Sequence, residues 1–338
     1  MPPVYHVNRR LTNASSMYPW EWTPIGSKWF PEKGSDFLSD QVATHSKANM
    51  LGLRDATPVG DDDLPQEVNV VYDADLAFTI PVYALSSPGK WLTRRNADPG
   101  LSYDQARSIL LQLSMRILLE YVRIKKTLRD TNTITQNKTL LVAEQYDNPI
   151  NTVPTPVEDM KVAVNLLKNQ NQGRVPNRCT MASEVLAAIA DTDDFRSRVQ
   201  FTVVAKMTNP EQTPSGIAML LESMVGLAPG TIELYDATYN AGTLAAPSYK
   251  KFIGSDIVLG YVEEYGLMSW TLGVGWKWNA MPGETAIVSV PQFTRGSAVE
   301  DEFRIIAPVQ PQIVRAELGY IIKGCLNTAD TKYGGFLD

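Results

Sequence analysis

The stretch YDQARSILLQLSMRILLEYVRIKKTLR, from Tyr103 to Arg129, constrains the fold more than any other. Wound as one helix, its 27 residues would run roughly 40 Å at about 1.5 Å per residue. Ala106, Ile109, Leu110, Leu113, Ile117, Tyr121, Ile124 and Leu128 recur at helical spacing as one apolar stripe, and Leu111, Met115, Leu118 and Val122 widen it. A bilayer crossing needs ~20 consecutive apolar residues, and Gln112, Arg116 and Glu120 interrupt this run too early. The helix is therefore expected to lie within protein, covered on more than one face. Arg123, Lys125, Lys126 and Arg129 fall in its final turns, where positive charge suits the helix dipole.

Upstream, Pro99-Gly100 fits the centre of a type II turn, and Ser102 with Gln105 forms a capping-box pattern for the helix start. Residues 67–92 carry β-branched and aromatic clusters in partial alternation, which predicts a two-stranded β excursion ending at Ser87-Pro88-Gly89. Pro81 in that stretch suits an edge strand. Residues 1–66 differ again: Trp20, Trp22 and Trp29 fall among Pro, Gly, Ser and Asn, with little sustained period outside residues 36–51. Exposed aromatics are unfavourable in water, so such an arm must pack on its own core or on a neighbour.

Downstream, TPVEDMKVAVNLLKNQNQG predicts a helix with Thr155 as N-cap, Pro156 in its first turn, Glu158 completing a capping box and an end near Gly173. A strand at Cys179 to Met181, a helix opened by Ser183, a helix after Thr213-Pro214 and the strand TIELYDA follow. This alternation over residues 150–240 is that of an α/β unit. The remainder is mostly strand-like, in DIVLGYVEEY, SWTLGVGWKW, EFRIIAPV and IVRAELGYIIKG. No segment repeats at a solenoid period.

The residues that would carry catalysis are sparse. Histidine occurs twice, as His6 and His45, and no G-x-S-x-G elbow is present, so neither a serine triad nor a histidine metal cluster is expected. Asp61-Asp62-Asp63 lacks the alternating oxygen ligands of a calcium loop and reads as a solvated acidic turn. Gly273-Val274-Gly275 lacks the third glycine of a dinucleotide fingerprint and reads as close backbone approach between strands. Cys179 and Cys325, without CxxC spacing, read as buried free thiols. A net charge of −6 argues against a protein whose main task is gripping nucleic acid. The N-terminal residues show neither a secretory signal nor a lipidation motif, which leads us to expect use in a cytoplasm. No cofactor is expected.

The order of the pieces resembles the major capsid proteins of tailed bacteriophages, those of the Hong Kong 97-type fold, from about residue 90 to 325. Asn96-Ala97-Asp98-Pro99, then Tyr103-Asp104, lead into the long helix with Glu120 in its later turns, as in the family's spine helix. Tyr146-Asp147-Asn148-Pro149 matches an aromatic-Asp-Asn/Asp-Pro motif that often begins with Trp. Gly173-Arg174-Val175-Pro176-Asn177 matches G-x-x-P-N, and Asp236-Ala237-Thr238-Tyr239-Asn240 matches a small-residue, aromatic and Asn pattern after a strand. The order and spacing carry the resemblance. The segments between Pro210 and Pro214 and from Gly266 to Trp278 do not align with the family pattern, and no long charged helical region precedes the arm.

The resemblance implies an α+β chain divided into an N-terminal arm (1–66), an extended β-hairpin loop with peripheral-domain strands (67–101), a spine helix and peripheral domain (102–149), an axial domain (150–300) and peripheral return strands (301–338). It implies a subunit that assembles with copies of itself, as hexamers and pentamers, into the head shell around double-stranded DNA. The DNA would be enclosed without sequence-specific binding, and no membrane is involved. A separate scaffolding protein, a portal and a decoration protein are the implied partners, with assembly in the host cytoplasm and residence in the virion. Candidate inter-subunit contacts are Trp20, Trp22, Trp29, Lys90, Trp91, Arg94, Arg95 and Glu120. Lys90 is the candidate lysine for the covalent cross-link of the fold's namesake, which we do not expect in this chain. Glu120 has two readings: an exposed partner of Arg116 or Arg123 on its own helix, or one half of an ion pair across a subunit or domain boundary. The alternatives are a cellular encapsulin-like shell of the same fold and a cytoplasmic α/β enzyme with an unrecognised active site.

Overall fold

A computed structural model describes residues 23–44, 74–89, 103–148, 154–200, 213–243, 245–263, 270–280, 285–293 and 299–327. The helices are α1 (Gly26–Trp29), α2 (Tyr103–Glu120), α3 (Pro156–Gln170), α4 (Ser183–Asp191), α5 (Asp193–Gln200) and α6 (Pro214–Val225). The strands run from β1 (Glu32–Ser35), β2 (Ser39–Thr44), β3 (Ala74–Thr79) and β4 (Val82–Gly89) through β5 (Asn137–Thr139), β6 (Arg178–Met181) and β7 (Ile232–Leu234). They continue with β8 (Thr238–Asn240), β9 (Tyr249–Lys251), β10 (Ile257–Gly260), β11 (Gly273–Trp278), β12 (Ala286–Phe293), β13 (Val299–Ile313) and β14 (Gly319–Lys323).

Two five-stranded sheets organise the chain. One has the order β5-β14-β10-β6-β7, mixed in direction, with β5 parallel to β14 and β6 parallel to β7. Helices α3, α4 and α6 bury Met160, Val164, Val185, Ile189 and Leu221 in a core shared with Val258 and Ile321 of this sheet. The second sheet is built on the long strand β13, which pairs antiparallel with β12, β4 and β11, while β1 adds in parallel to β11.

The long helix joins the two. Leu111, Met115 and Leu119, spaced four apart, pack against Ile287, Phe303, Ile305, Ala307 and Val309 of the β13 sheet. Beyond Glu120 the winding loosens to a π-helix over Tyr121–Leu128, with Arg129 N–H donating to the carbonyl of Ile124 at 3.0 Å. Ile124 and Leu128, both fully buried, then enter the α/β core. A continuous α-helix was expected, and the wider turn coincides with the passage of the buried face from one sheet to the other. The buried face agrees with the expected main stripe in the later turns, at Ile124 and Leu128. In the earlier turns Ala106 and Leu110 are exposed, Leu110 at 65%, while Leu111 and Met115, expected only to widen the stripe, pack together with Leu119.

Other sequence expectations are corrected locally. The two strands of the 67–92 excursion do not pair with each other: β3 pairs with β2 and β4 with β13. Residues 39–44, expected within the arm, are therefore one strand of a hairpin whose other strand is β3. Thr155 makes no side-chain cap, and Val157 N–H instead donates to Asp194 of α5 at 3.0 Å, leaving Glu158 to pair with Arg198. The expected opening of α4 at Ser183 holds, and the Ser183 amide donates to Asp236 at 2.9 Å. By contrast Thr213 caps α6 by accepting from Gly216 N–H at 3.2 Å, and Gly226 ends that helix at φ 81. The reading of Gly273 and Gly275 holds: a Cβ at either would meet Phe30 at 2.7 or 2.8 Å. The capping pattern at Ser102, the acidic run at 61–63 and both histidines lie outside the described residues.

Candidate functional site

The last turn of α2 places Glu120 where three parts of the chain meet. Its side chain is 1% exposed. Oε1 accepts from Ile25 N–H at 2.9 Å, Gly26 N–H at 3.0 Å and the Tyr235 hydroxyl at 2.8 Å, and Oε2 accepts from Gly26 N–H at 3.2 Å. Ile25 and Gly26 begin α1, whose first amides have no partner within the helix, so the carboxylate satisfies them. Tyr235 follows β7, so one side chain ties together the entering chain, the long helix and the α/β body.

Burial raises the proton affinity of Glu120, opposed by hydrogen bonds from Tyr235, Gly26 and Ile25 and by the positive charge of Arg123. Burial and the neighbouring carboxylate push the Tyr235 phenol the same way, which keeps its proton in place as a donor. Arg123, 4% exposed, reaches towards Glu32 of β1 at 3.7 Å. Gly26 is required for close approach, since a Cβ there would lie 2.6 Å from Glu120 Oε2 and 2.6 Å from Arg123 Cδ.

Residues around Gly26 extend the joint. Trp29 is 1% exposed and donates from Nε1 to Thr180 Oγ1 of β6 at 3.0 Å, while its ring edge faces Gly260 of β10. Phe30, fully buried, lies over Gly273 and Gly275 of β11. Lys28 pairs with Glu233 of β7. Residues 25–35 thus bridge both sheets of one subunit.

Glu120 is not an exposed partner on its own helix: groups of its own chain bury it where separate segments meet. Trp29 likewise packs in its own core, because the chain turns back over the glycines that leave room for Trp29 and Phe30. Trp20, Trp22, Lys90, Trp91, Arg94 and Arg95 lie outside the described residues. Sequence reading missed Tyr235, Gly26 and Lys28, whose partners are distant in sequence. It also missed Arg107, 7% exposed, which donates to the Ser87 carbonyl and lies 4.6 Å from the centroid of the Phe303 ring.

The motif residues also act as joints. Tyr146, 1% exposed, donates to Asp159 at 3.2 Å, and Asp147 accepts from Asn327 N–H at 2.8 Å. Asn177 donates to the carbonyl of Val262 at 2.7 Å and accepts from its amide at 2.9 Å. Asp236 joins Lys251 and the start of α4, and Asn240 accepts from Gly242 and Ser248 amides, each at 2.9 Å. Each polar group closes a connection between elements; none of these contacts forms a nucleophile–base pair oriented for turnover.

No family model and no curated protein matches the sequence. Solved structures do match in shape. A phage-related protein from Bordetella bronchiseptica RB50 is 18% identical and superposes with a TM-score of 0.65, covering 96% of this chain and 99% of that one. A prophage protein from E. coli CFT073, assigned as its capsid protein, is 12% identical with a TM-score of 0.50, covering 95% of this chain and 99% of that one. These near-complete superpositions show that the chain has the Hong Kong 97-type capsid fold.

Proposed function

We propose that the chain is a capsid subunit, a structural protein whose activity is repeated association with copies of itself into the head shell of a tailed phage. The near-complete coverage of this chain and of the Bordetella phage-related protein in one superposition carries the reading. In this reading the α/β sheet and its helices form the axial domain, and α2 with the β13 sheet forms the peripheral domain. The hairpin of β2 and β3 is the base of the extended loop. Hexamers and pentamers, a separate scaffolding protein, a portal and a decoration protein are the corresponding partners. The virion is its final location and the host cytoplasm its place of assembly.

The exposed side of α2 supports the association. Leu110 is 65% exposed on the face opposite the packed row, and Phe37 next to the hairpin is 64% exposed. Apolar groups left in water by the folded subunit are available for burial between subunits. The candidate contacts Trp20, Trp22, Lys90, Trp91, Arg94 and Arg95 belong to the same proposal.

Sedimentation of the expressed protein, alone and with its scaffolding protein, tests this. A shell subunit sediments as very large particles or as capsomers that convert to them. A single small closed oligomer under both conditions contradicts the reading and returns the α/β enzyme to the front.

A further inference from the structure

At the end of the long helix a cleft of about 340 Å³ opens to solvent, lined by Lys125, Lys126, Arg129, Asp130, Thr131, Asn132 and Lys323. We propose that this cleft is a contact for the phosphate backbone of the enclosed duplex DNA, an inference that rests on the shell reading above.

The charge within it is unusual for the chain. The protein carries a net −6, yet three ammonium groups from two separate elements, the end of the long helix and β14, converge on one opening. Arg129 adds little to the local potential, because its guanidinium donates to Asp256 at 2.7 Å and to the Phe252 carbonyl at 3.0 Å, both inside the body. Its role is to fix the floor of the cleft. Asp130 is the opposing charge. Its carboxylate accepts from Thr133 Oγ1 at 2.7 Å and Asn132 N–H at 3.0 Å. That local turn holds its carboxylate close to the backbone, Lys323 also favours its charged form, and three lysines outnumber this one carboxylate at the opening.

The geometry selects an extended polyanion over a small anion. The cleft is open to solvent and does not enclose a small anion, and its lysines come from the end of the long helix and from β14. Lys126 is exposed, lies 5.7 Å from the centroid of the Tyr121 ring and retains access to solvent. Lys323 Nζ lies 3.5 Å from Thr131 Oγ1. Cations from two separate elements at one opening suit a chain of phosphates passing across it, read by charge and not by sequence. Each contact would be weak, and a shell would repeat it over every copy, so that the DNA is held at many points but released at each one. The face that carries the cleft is then the face turned to the interior.

The test uses the full chain and fluorescently labelled random-sequence duplex DNA, titrated at several salt concentrations, beside the Lys126→Glu/Lys323→Glu double variant. Lys168→Glu, an exposed lysine on α3, serves as the control. The wild type should bind weakly, with a logarithmic salt slope matching about two to three phosphates, and the double variant should lose at least about tenfold in affinity and about two from the slope. The control should change little. Circular dichroism and particle formation should stay normal in the double variant, which separates this inference from the shell reading: absence of particles in the wild type would refute the latter alone. Unchanged DNA binding in the double variant overturns the proposal, and so does tighter binding of poly-glutamate than of DNA, which would make the cleft a protein-docking site. A Lys126→Gln/Lys323→Gln variant with an intermediate loss supports charge as the cause if the double reversal fails to fold.

Discussion

Glu120 accepts a hydrogen bond from the Tyr235 hydroxyl at 2.8 Å across 115 residues of sequence, and the same oxygen holds the amides of Ile25 and Gly26. A carboxylate buried to 1% exposure joins three segments that would otherwise meet only through apolar contact. The joint is directional where the surrounding core is not.

Glu120→Gln should therefore weaken the subunit itself. All of the named partners donate, so the amide NH₂ of glutamine would face another donor, leaving a buried group unsatisfied at a cost of about 1–3 kcal/mol. Urea unfolding of the isolated subunit measures it. A variant as stable as wild type would show that the three donors find other acceptors.

The same pair gives a pH dependence with a defined sign. Burial raises the carboxyl's proton affinity in the folded state, so its protonation favours folding: the contribution is fully present below the ordinary glutamate range near ~4.3 and is lost as pH rises through the raised folded value. The stability gap between wild type and Glu120→Gln should therefore be largest in acid and narrow towards neutrality. A gap that widens with rising pH would mean that the hydrogen bonds outweigh burial.

Gly26→Ala should cost about 1–3 kcal/mol, because its Cβ would lie 2.6 Å from both Glu120 and Arg123 side-chain atoms. Thermal unfolding measures it, and since Gly26 is helical and not left-handed, backbone strain does not contribute. A variant as stable as wild type would show that the Glu120 and Arg123 side chains give way.

Both thiols should be inert in the native protein. Cys179 and Cys325 are free and buried, and burial raises the pKa of each, Cys325 also feeling the charge of Asp256. A thiol reagent should label neither until denaturant is added. Rapid labelling in buffer would show that the core opens locally.

The long helix, the α/β alternation and the glycine-lined approach at residues 273–275 were legible because each is written in local spacing. Its buried face was not: residues 106–113 offer two apolar rows, and only the position of Phe303 and Ile305 on β13 decides which is packed. The role of Trp29 was illegible for the same reason. An aromatic among Pro and Ser reads as an arm in search of a partner, while Thr180 and Gly260, which receive it, lie more than 150 residues away. Glu120 reads equally as a partner on its own helix or as a charge at a boundary, and the amides of Ile25 and Gly26 that bury it lie about 95 residues earlier in the sequence. Pairing of β2 with β3, which end and begin at Thr44 and Ala74, likewise leaves no short-range turn signal.

Negative-stain electron microscopy of the expressed wild-type chain tests the capsid reading most directly. A capsid subunit gives closed shells, or flat sheets and tubes built from repeating capsomers. A field of uniform small oligomers that never convert to larger assemblies would contradict it.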